Sequence, residues 1–165
     1  MTTIGIDPGL TGAIAVLDDE GVVRCLYDMP TVARSTGRGL EVSAPAAVVM
    51  LRPDPEIFHW RGIQVWVERV GPMPKQGVTS VWSFGRSLGV LEGVLAALGL
   101  PYHLVAPAKW KRHHGLIGRD KDCARTLVLQ QHPSLADRLS RKKDIGRAEA
   151  ILIAQYGQSE RRKER

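Results

Sequence analysis

The stretch Ile4-Gly5-Ile6-Asp7-Pro8-Gly9-Leu10-Thr11-Gly12 runs from an apolar strand into a tight bend and decides how the chain begins to fold. Its apolar half leads up to Asp7, a Pro-Gly pair bends the chain directly afterwards, and the apolar run Ala13–Leu17 follows. Two strands joined by a turn are therefore predicted. A second turn at Asp18–Gly21 and the run Val22–Tyr27 add a third strand, so the domain starts as an antiparallel meander.

The remainder of the chain alternates between strand and helix patterns. Buried strands are predicted at Gln64–Glu68 and Tyr102–Val105, and Met29–Ala44 is interpreted as a loop. The predicted helices are Ser43–Leu51, Ser80–Leu98, Lys121–Gln131 and Ile145–Tyr156. A meander followed by alternating elements indicates an α/β domain with a mixed five-stranded sheet flanked by helices.

Length and composition place one domain in this chain of 165 residues. We expect residues 1–157 to form it and residues 158–165 to be a basic, disordered tail. No apolar stretch reaches membrane-spanning length and no signal peptide is expected at the start. Cys25 and Cys123 belong to no metal-ligand spacing, which is typical of idle thiols in a reducing compartment. A cytoplasmic protein is therefore expected.

The net charge of +6 is distributed unevenly along the chain. Residues 1–108 carry 8 Lys and Arg against 10 Asp and Glu, whereas residues 109–165 carry 15 against 7. The second part therefore has a net charge of +8, which suggests a polyanionic partner bound mainly through its phosphates. A solvated basic surface without any partner is the alternative interpretation of the charge alone.

Carboxylates interrupt the apolar pattern at points where a strand or a helix begins or ends. Asp7 and Glu68 each close an apolar strand, so both can point into one cleft of a mixed sheet. Two half-buried carboxylates repel each other unless a cation such as Mg²⁺ or Mn²⁺ neutralises them. Taken singly, Asp7 could cap its own turn and Glu68 could pair with a base. Asp144 and Glu149 flank the start of the last helix, where Asp144 could equally be the N-cap.

The chain resembles the RuvC-type Holliday junction resolvases, especially their phage and phage-like members. The resemblance implies a ribonuclease H-like fold and a four-carboxylate site made of Asp7, Glu68, Asp144 and Glu149. It is carried by four blocks in family order, which are Ile4–Gly12, Val65–Val70, Val105–Lys111 and Lys143–Ala150.

The last two acids depart from the spacing of the bacterial members, which place their helix ligands three residues apart. Asp144 and Glu149 are five apart, and the residue three before Glu149 is Gly146, which has no side chain for a ligand. The interpretation adopted here has Asp144 binding from just before the first helical turn. Asp137 is a weaker substitute for it.

The resemblance further implies cleavage of four-way DNA junctions with two Mg²⁺ ions per site, for which Mn²⁺ may substitute. Hydrolysis would leave 5′-phosphate and 3′-hydroxyl ends and would need no nucleophilic side chain. The alternatives are a related nuclease acting on other branched DNA or RNA–DNA hybrids, and a non-catalytic junction-binding domain.

Basic residues in or near the family blocks are the predicted DNA contacts. They include a predicted basic loop after the strand that ends at Val105, and the full set is Arg34, Arg38, Lys75, Lys109, Lys111, Arg112 and Lys121. Bacterial members carry an aromatic wedge where this chain has Gly71, so Met73 is a weak candidate for that role. Gly85, Gly89 and Gly93 lie on one face of a predicted helix, which indicates either packing against the domain's own sheet or a homodimer seam.

Overall fold

The computed structural model describes residues 1–35, 37–52, 62–69, 71 and 77–163. The described residues form a five-stranded sheet and a separate two-stranded hairpin. The strands are β1 (Thr2–Asp7), β2 (Ala13–Leu17), β3 (Val23–Asp28), β4 (Thr31–Ala33), β5 (Leu40–Val42), β6 (Ile63–Glu68) and β7 (Tyr102–Val105). The helices are α1 (Ala44–Leu51), α2 (Val78–Ala97), α3 (Pro107–His113), α4 (Asp122–Gln131) and α5 (Ile145–Lys163).

The large sheet has the strand order β3-β2-β1-β6-β7. The meander β1-β2-β3 is antiparallel, whereas β6 runs parallel to β1 and β7 runs parallel to β6. This is the predicted mixed sheet. Because β1 and β6 are parallel neighbours, the carboxylates that end them, Asp7 and Glu68, lie at the same edge of the sheet.

Each face of the sheet is covered by helices over its own apolar core. One core contains Leu91 and Leu95 of α2 with Leu51 of α1. The other contains Ile151 and Ile153 of α5, together with residues of α3 and α4. Helices on both faces of a sheet are the arrangement that an α/β pattern predicts.

The backbone of the first strand packs directly against the backbone of the last helix, with no side chain between them. A Cβ atom at Gly5 of β1 would overlap the backbone of Ala150 and Ala154 in α5. Only glycine permits this approach, because any side chain would push the helix away from the sheet. The close contact holds the first turns of α5 at the edge of the sheet where Asp7 lies.

Three expectations from the sequence need correction. The expected loop 29–44 contains the hairpin β4-β5, in which backbone pairing joins Val32 to Glu41. The predicted basic loop after β7 is the helix α3, whose first turn holds Pro107.

The tail expected to be disordered from residue 158 is helical as far as Lys163. Its helix continues because Gln158 Nε2 donates to the Asp18 carbonyl oxygen at 2.6 Å and the Arg161 guanidinium pairs with Asp19. Both side chains are buried. Residues 164–165 lie outside the described residues. Among the helices that the structure describes, none has the length and apolarity needed to cross a bilayer.

Candidate active site

Asp7 is the last residue of β1 and points into the bend that follows. The amide of Gly9 donates a 3.1 Å hydrogen bond to Asp7 Oδ1. The side chain is thus oriented by its own turn, as a capping aspartate would be, while Oδ2 has no hydrogen bond in the described structure.

Glu68 ends β6 and is held by a tryptophan from α3. Trp110 Nε1 donates a 2.9 Å hydrogen bond to Glu68 Oε1. Trp110 is fully buried, and α3 begins directly after β7, the strand that pairs with β6. The indole therefore orients this carboxylate from a rigid position.

Glu149, in the second turn of α5, brings a third carboxylate to the same place. Lys111 Nζ lies 3.5 Å from Glu149 Oε1 and 5.0 Å from the centre of the Trp110 ring. Lys111 and Trp110 are neighbours in α3, so one short helix supplies both the lysine and the indole of this cluster.

Burial and charge repulsion within the cluster raise the pKa values of Asp7 and Glu68. Burial first, and then the negative charges of Glu68 and Glu149, raise the pKa of Asp7 to about 7, against the opposing effects of the Gly9 amide and Lys111. Burial also raises the pKa of Glu68, and the charge of Glu149 adds to this. The bond from Trp110 and the charge of Lys111 oppose the rise at Glu68. A site that destabilises its own carboxylates in this way favours a bound cation.

The carboxylates fit hard divalent cations in their chemistry but do not form a closed cage. Within the described part of the chain, no three His, Cys, Asp or Glu side chains meet as closely as the ligands of one ion do. Asp7 and Glu68 each use one oxygen in a hydrogen bond to the protein. The remaining oxygens suit Mg²⁺ or Mn²⁺, which bind few carboxylates and keep water or substrate phosphate as further ligands.

Asp144 lies in different surroundings from the other three predicted ligands. Its carboxylate is 2% exposed and pairs with Arg141 Nη2 at 2.8 Å and with Arg147 Nη1 at 3.8 Å. The hydrogen bond from Arg141 holds the pKa of Asp144 below its usual range. The structure therefore brings together Asp7, Glu68 and Glu149 but does not bring Asp144 to them. Asp137 is exposed on the short turn Asp137–Leu139.

The predicted DNA contacts occupy several different positions. Lys109, Arg112, Lys121 and Arg38 are exposed. Arg34 instead binds within the protein, donating to the Leu40 carbonyl oxygen and to Ser83 Oγ, each at 3.1 Å. Lys75 and Met73 lie outside the described residues.

Sequence reasoning missed several residues around the site. A cavity of about 260 Å³ beside Glu149 and Lys111 is lined by the loop that includes Ile117 and Arg119. On the other side, an atom attached to Gly9 would lie 3.4 Å from Asp7 Oδ1 and 3.5 Å from the ring edge of Phe84. Phe84 is 40% exposed, so an aromatic edge borders the site. Lys111 is a predicted DNA contact, and the structure also places it beside Glu149, while the bond from Trp110 to Glu68 was not predicted.

The glycine face of α2 is open to solvent. Outside its own helix, a Cβ atom at Gly85, Gly89 or Gly93 would meet no atom of the described residues within 4 Å, so these glycines do not pack against the five-stranded sheet. Trp82, one turn before Gly85, is 67% exposed. An apolar helix face with small residues is thereby left on the surface.

Comparisons with known proteins agree with this architecture. No family model matches the chain. It is 28% identical over 153 residues to the chloroplastic Holliday junction resolvase MOC1 of Chlamydomonas reinhardtii, which covers 80% of this chain. The chain spans 17% of the length of that algal protein.

Two solved structures are similar over almost the whole chain. The Thermus thermophilus RuvC structure has a TM-score of 0.55 at 15% identity, covering 99% of this chain and 97% of RuvC. RuvC from the same organism in complex with a Holliday junction substrate has a TM-score of 0.58 at 16% identity, with 98% and 96% covered. The predicted ribonuclease H-like fold, with its mixed sheet flanked by helices, is confirmed.

Proposed function

We propose that this chain is a RuvC-type nuclease that resolves four-way DNA junctions by metal-dependent hydrolysis of phosphodiester bonds. The observation that carries the proposal is the meeting of Asp7, Glu68 and Glu149 beside Lys111. Burial and, after it, the charges of Glu68 and Glu149 raise the pKa of Asp7 to about 7, and a divalent cation that joins the cluster would offset both effects. The RuvC-like fold and the sequence match to a junction resolvase support the choice of substrate.

Asp7, Glu68 and Glu149 would hold Mg²⁺, for which Mn²⁺ may substitute, with two ions in each site. When bound, these ions would supply an activated water for in-line attack and charge stabilisation for the departing 3′ oxygen, leaving 5′-phosphate and 3′-hydroxyl ends. Asp144, the fourth ligand that the resemblance implies, is not among them, because Arg141 already occupies both of its oxygens.

The protein's own groups prepare this site in three ways. The Gly9 amide and the Trp110 indole each engage one carboxylate oxygen, so Asp7 and Glu68 are oriented with their second oxygens available. Lys111 offsets part of the negative charge and offers an ammonium group to the substrate phosphate. The cavity beside Glu149 gives a nucleotide next to that phosphate a place to lie.

DNA would approach over the basic part of the chain. Residues 109–165 carry the net charge of +8, and the side chains of Lys109, Arg112 and Lys121 are exposed near the site. Arg38 and Lys75 are kept as proposed contacts, whereas the internal bonds of Arg34 favour a structural role for it. Contacts of this kind make affinity fall steeply with salt.

The open face of α2 favours a homodimer. A second copy would cover Trp82 and the glycines that now face solvent, and a C2 dimer would present two sites to a two-fold symmetric junction. Paired cuts in like strands require two such sites.

The decisive experiment is a cleavage panel with purified protein in Mg²⁺, Mn²⁺ or EDTA. The substrates are a synthetic four-way junction, linear duplex, a flap and an RNA–DNA hybrid, and Asp7→Asn serves as the inactive control. We expect symmetric nicks in the junction with either metal, none in EDTA, and binding without cleavage by Asp7→Asn. A monomer that cuts linear hybrids as fast as junctions would contradict the resolvase and favour the alternative nuclease.

Binding of the junction by the wild type without cleavage in either metal would favour the non-catalytic alternative. The phage-like branch and the cytoplasmic location remain predictions, independent of this panel.

A further inference from the structure

We propose that Asp144 is a positioning residue rather than a metal ligand, and that it holds the start of α5 so that Glu149 meets Asp7 and Glu68. The inference rests on the proposed function, because that function makes the cluster of Asp7, Glu68 and Glu149 an active site. Its structural part rests on contacts around Asp144 that involve none of the three clustered carboxylates.

Both oxygens of Asp144 are already used by the protein. Oδ2 accepts from the Arg141 amide at 2.9 Å and from Arg141 Nε at 3.2 Å, while Oδ1 accepts from Arg141 Nη2 at 2.8 Å. A two-pronged bond to a guanidinium is among the strong hydrogen bonds in proteins. An ion would have to displace Arg141 from a carboxylate that is 2% exposed, and it would have to replace three hydrogen bonds that the carboxylate already accepts.

A second arginine connects Asp144 to the sheet. Arg147, whose Nη1 lies 3.8 Å from Asp144 Oδ1, binds Asp28 through Nε at 2.6 Å and Nη2 at 2.7 Å. Asp28 is the last residue of β3 and pairs with Ala13, which in turn pairs with Asp7. The clasp formed by Asp28, Asp144 and Arg147 therefore anchors α5 to the row of the sheet that contains Asp7.

The first turn of α5 has no freedom to shift toward the sheet. A Cβ atom at Gly146 would overlap the Thr11 carbonyl oxygen and approach Gly12, both in the bend after Asp7. Glu149 follows Gly146 by three residues, so it lies on nearly the same side of the helix about 4.5 Å further along its axis. The contact at Gly146 and the clasp together fix the position of the first turn of α5. That position sets the distance from Glu149 to Asp7.

The charge of Asp144 is also suited to this place. It precedes the N-terminus of α5, where the helix dipole favours an anion and where Arg141 and Arg147 would otherwise repel each other. Replacing the carboxylate with an amide leaves these positive charges together and loosens the start of the helix.

The test compares Asp144→Asn with Asp28→Asn, using Asp137→Asn as the matched control because Asp137 is exposed and outside the clasp. Four quantities are measured on each protein: single-turnover junction cleavage in Mg²⁺, junction affinity in Mg²⁺, the number of Mn²⁺ ions bound, and hydrogen exchange of amides 146–150 without metal. We expect Asp144→Asn to slow cleavage about 10- to 100-fold, since small misplacements of a catalytic group have effects of this size.

We expect junction affinity and the Mn²⁺ count to be unchanged in Asp144→Asn, and amide exchange to become faster. Asp28→Asn should show the same pattern more weakly, and combining the two should give less than the product of their separate effects. If Asp144→Asn does not fold, Asp28→Asn carries the test, because Asp28 is exposed at the surface.

Loss of a bound Mn²⁺ with normal amide exchange would make Asp144 a ligand and overturn the inference. Folded Asp144→Asn protein that cleaves at the wild-type rate would reduce Asp144 to a purely stabilising residue and overturn it as well. If wild-type protein cleaves no substrate, the proposed function fails, and the amide exchange and Mn²⁺ count still decide whether Asp144 controls the start of α5.

Discussion

Trp110 donates its indole hydrogen to Glu68 at a distance of 2.9 Å. Its helix, α3, is separated from the end of strand β7 by a single residue. This bond lowers the pKa of a carboxyl group that burial raises. Trp110→Phe would keep much of the buried packing and lose the bond. We expect cleavage at neutral pH to fall by about tenfold, as for loss of a bond to a charged group, and the acidic limb of the pH–rate profile to move to higher pH.

The control for that substitution is Trp66→Phe on β6. The indole nitrogen of Trp66 is buried and has no hydrogen-bond partner among the described residues, so its removal breaks no bond seen in the structure. Equal shifts of the pH profile in the two variants would contradict the role assigned to Trp110.

Asp7→Asn should stabilise the metal-free protein in a pH-dependent way. The pKa of Asp7 rises from 3.8 to about 7 on folding, so the folded state binds the additional proton between these values and loses stability as the pH increases through them. Each pKa unit corresponds to about 1.4 kcal/mol, and residual solvent contact reduces the effect. We expect Asp7→Asn to raise the free energy of unfolding by about 2 kcal/mol at pH 8 in EDTA.

Urea denaturation at pH 8 and pH 4 measures this effect, and most of the gain should be lost at pH 4, close to the value of 3.8 at which Asp7 titrates in the unfolded chain. Excess Mg²⁺ should stabilise the wild type more than the variant. An equal gain at both pH values would indicate a cause other than the charge of Asp7.

Lys111→Met removes the cation that offsets the carboxylates. The pKa values of Asp7 and Glu68 should then rise further, because Lys111 lowers both. We expect cleavage to drop by about 100-fold, the size seen when a charge-stabilising donor is removed, while Lys109→Met on the exposed side of α3 changes mainly the salt dependence of DNA affinity. Equal losses in both variants would make Lys111 an ordinary phosphate contact.

Gly146→Ala should destabilise the protein and displace α5. The added methyl group would overlap the Thr11 carbonyl oxygen, and overpacking of this kind costs about 1–3 kcal/mol. Gly71→Ala is the control, since a Cβ there meets no atom of the described residues within 4 Å. Chemical denaturation gives the comparison, and unchanged stability of Gly146→Ala would show that the bend can yield to the helix.

Trp82→Glu should convert a dimer to a monomer with little loss of stability. Trp82 is 67% exposed, so the charge is tolerated in the single chain but is buried without a partner in a seam along α2. Sedimentation at several concentrations reports the oligomeric state. Junctions should still be nicked but no longer cut in pairs, and a variant that dimerises normally would place the seam elsewhere.

The sequence pattern predicted the sheet and the positions of Asp7 and Glu68 because both depend on local order. A strand of apolar residues that ends in an acid next to a bend places that acid at the edge of a sheet. The parallel pairing of β1 with β6 then brings Asp7 and Glu68 to the same edge. The helix α3 was not predicted because its run of basic residues is also typical of an exposed loop. The surroundings of Asp144 could not be predicted, since they depend on Asp28, a residue far away along the chain.

The contact between Gly5 and α5 has a consequence for the order in which the protein folds during its synthesis. Asp7 is synthesised early, but the helix that presses against its strand and carries Glu149 is made more than 130 residues later. Pairing of segments so distant in sequence is slow and comes late in folding. A nascent chain therefore carries the acidic strands without the assembled cluster, and the three carboxylates can meet only after translation has passed the last helix.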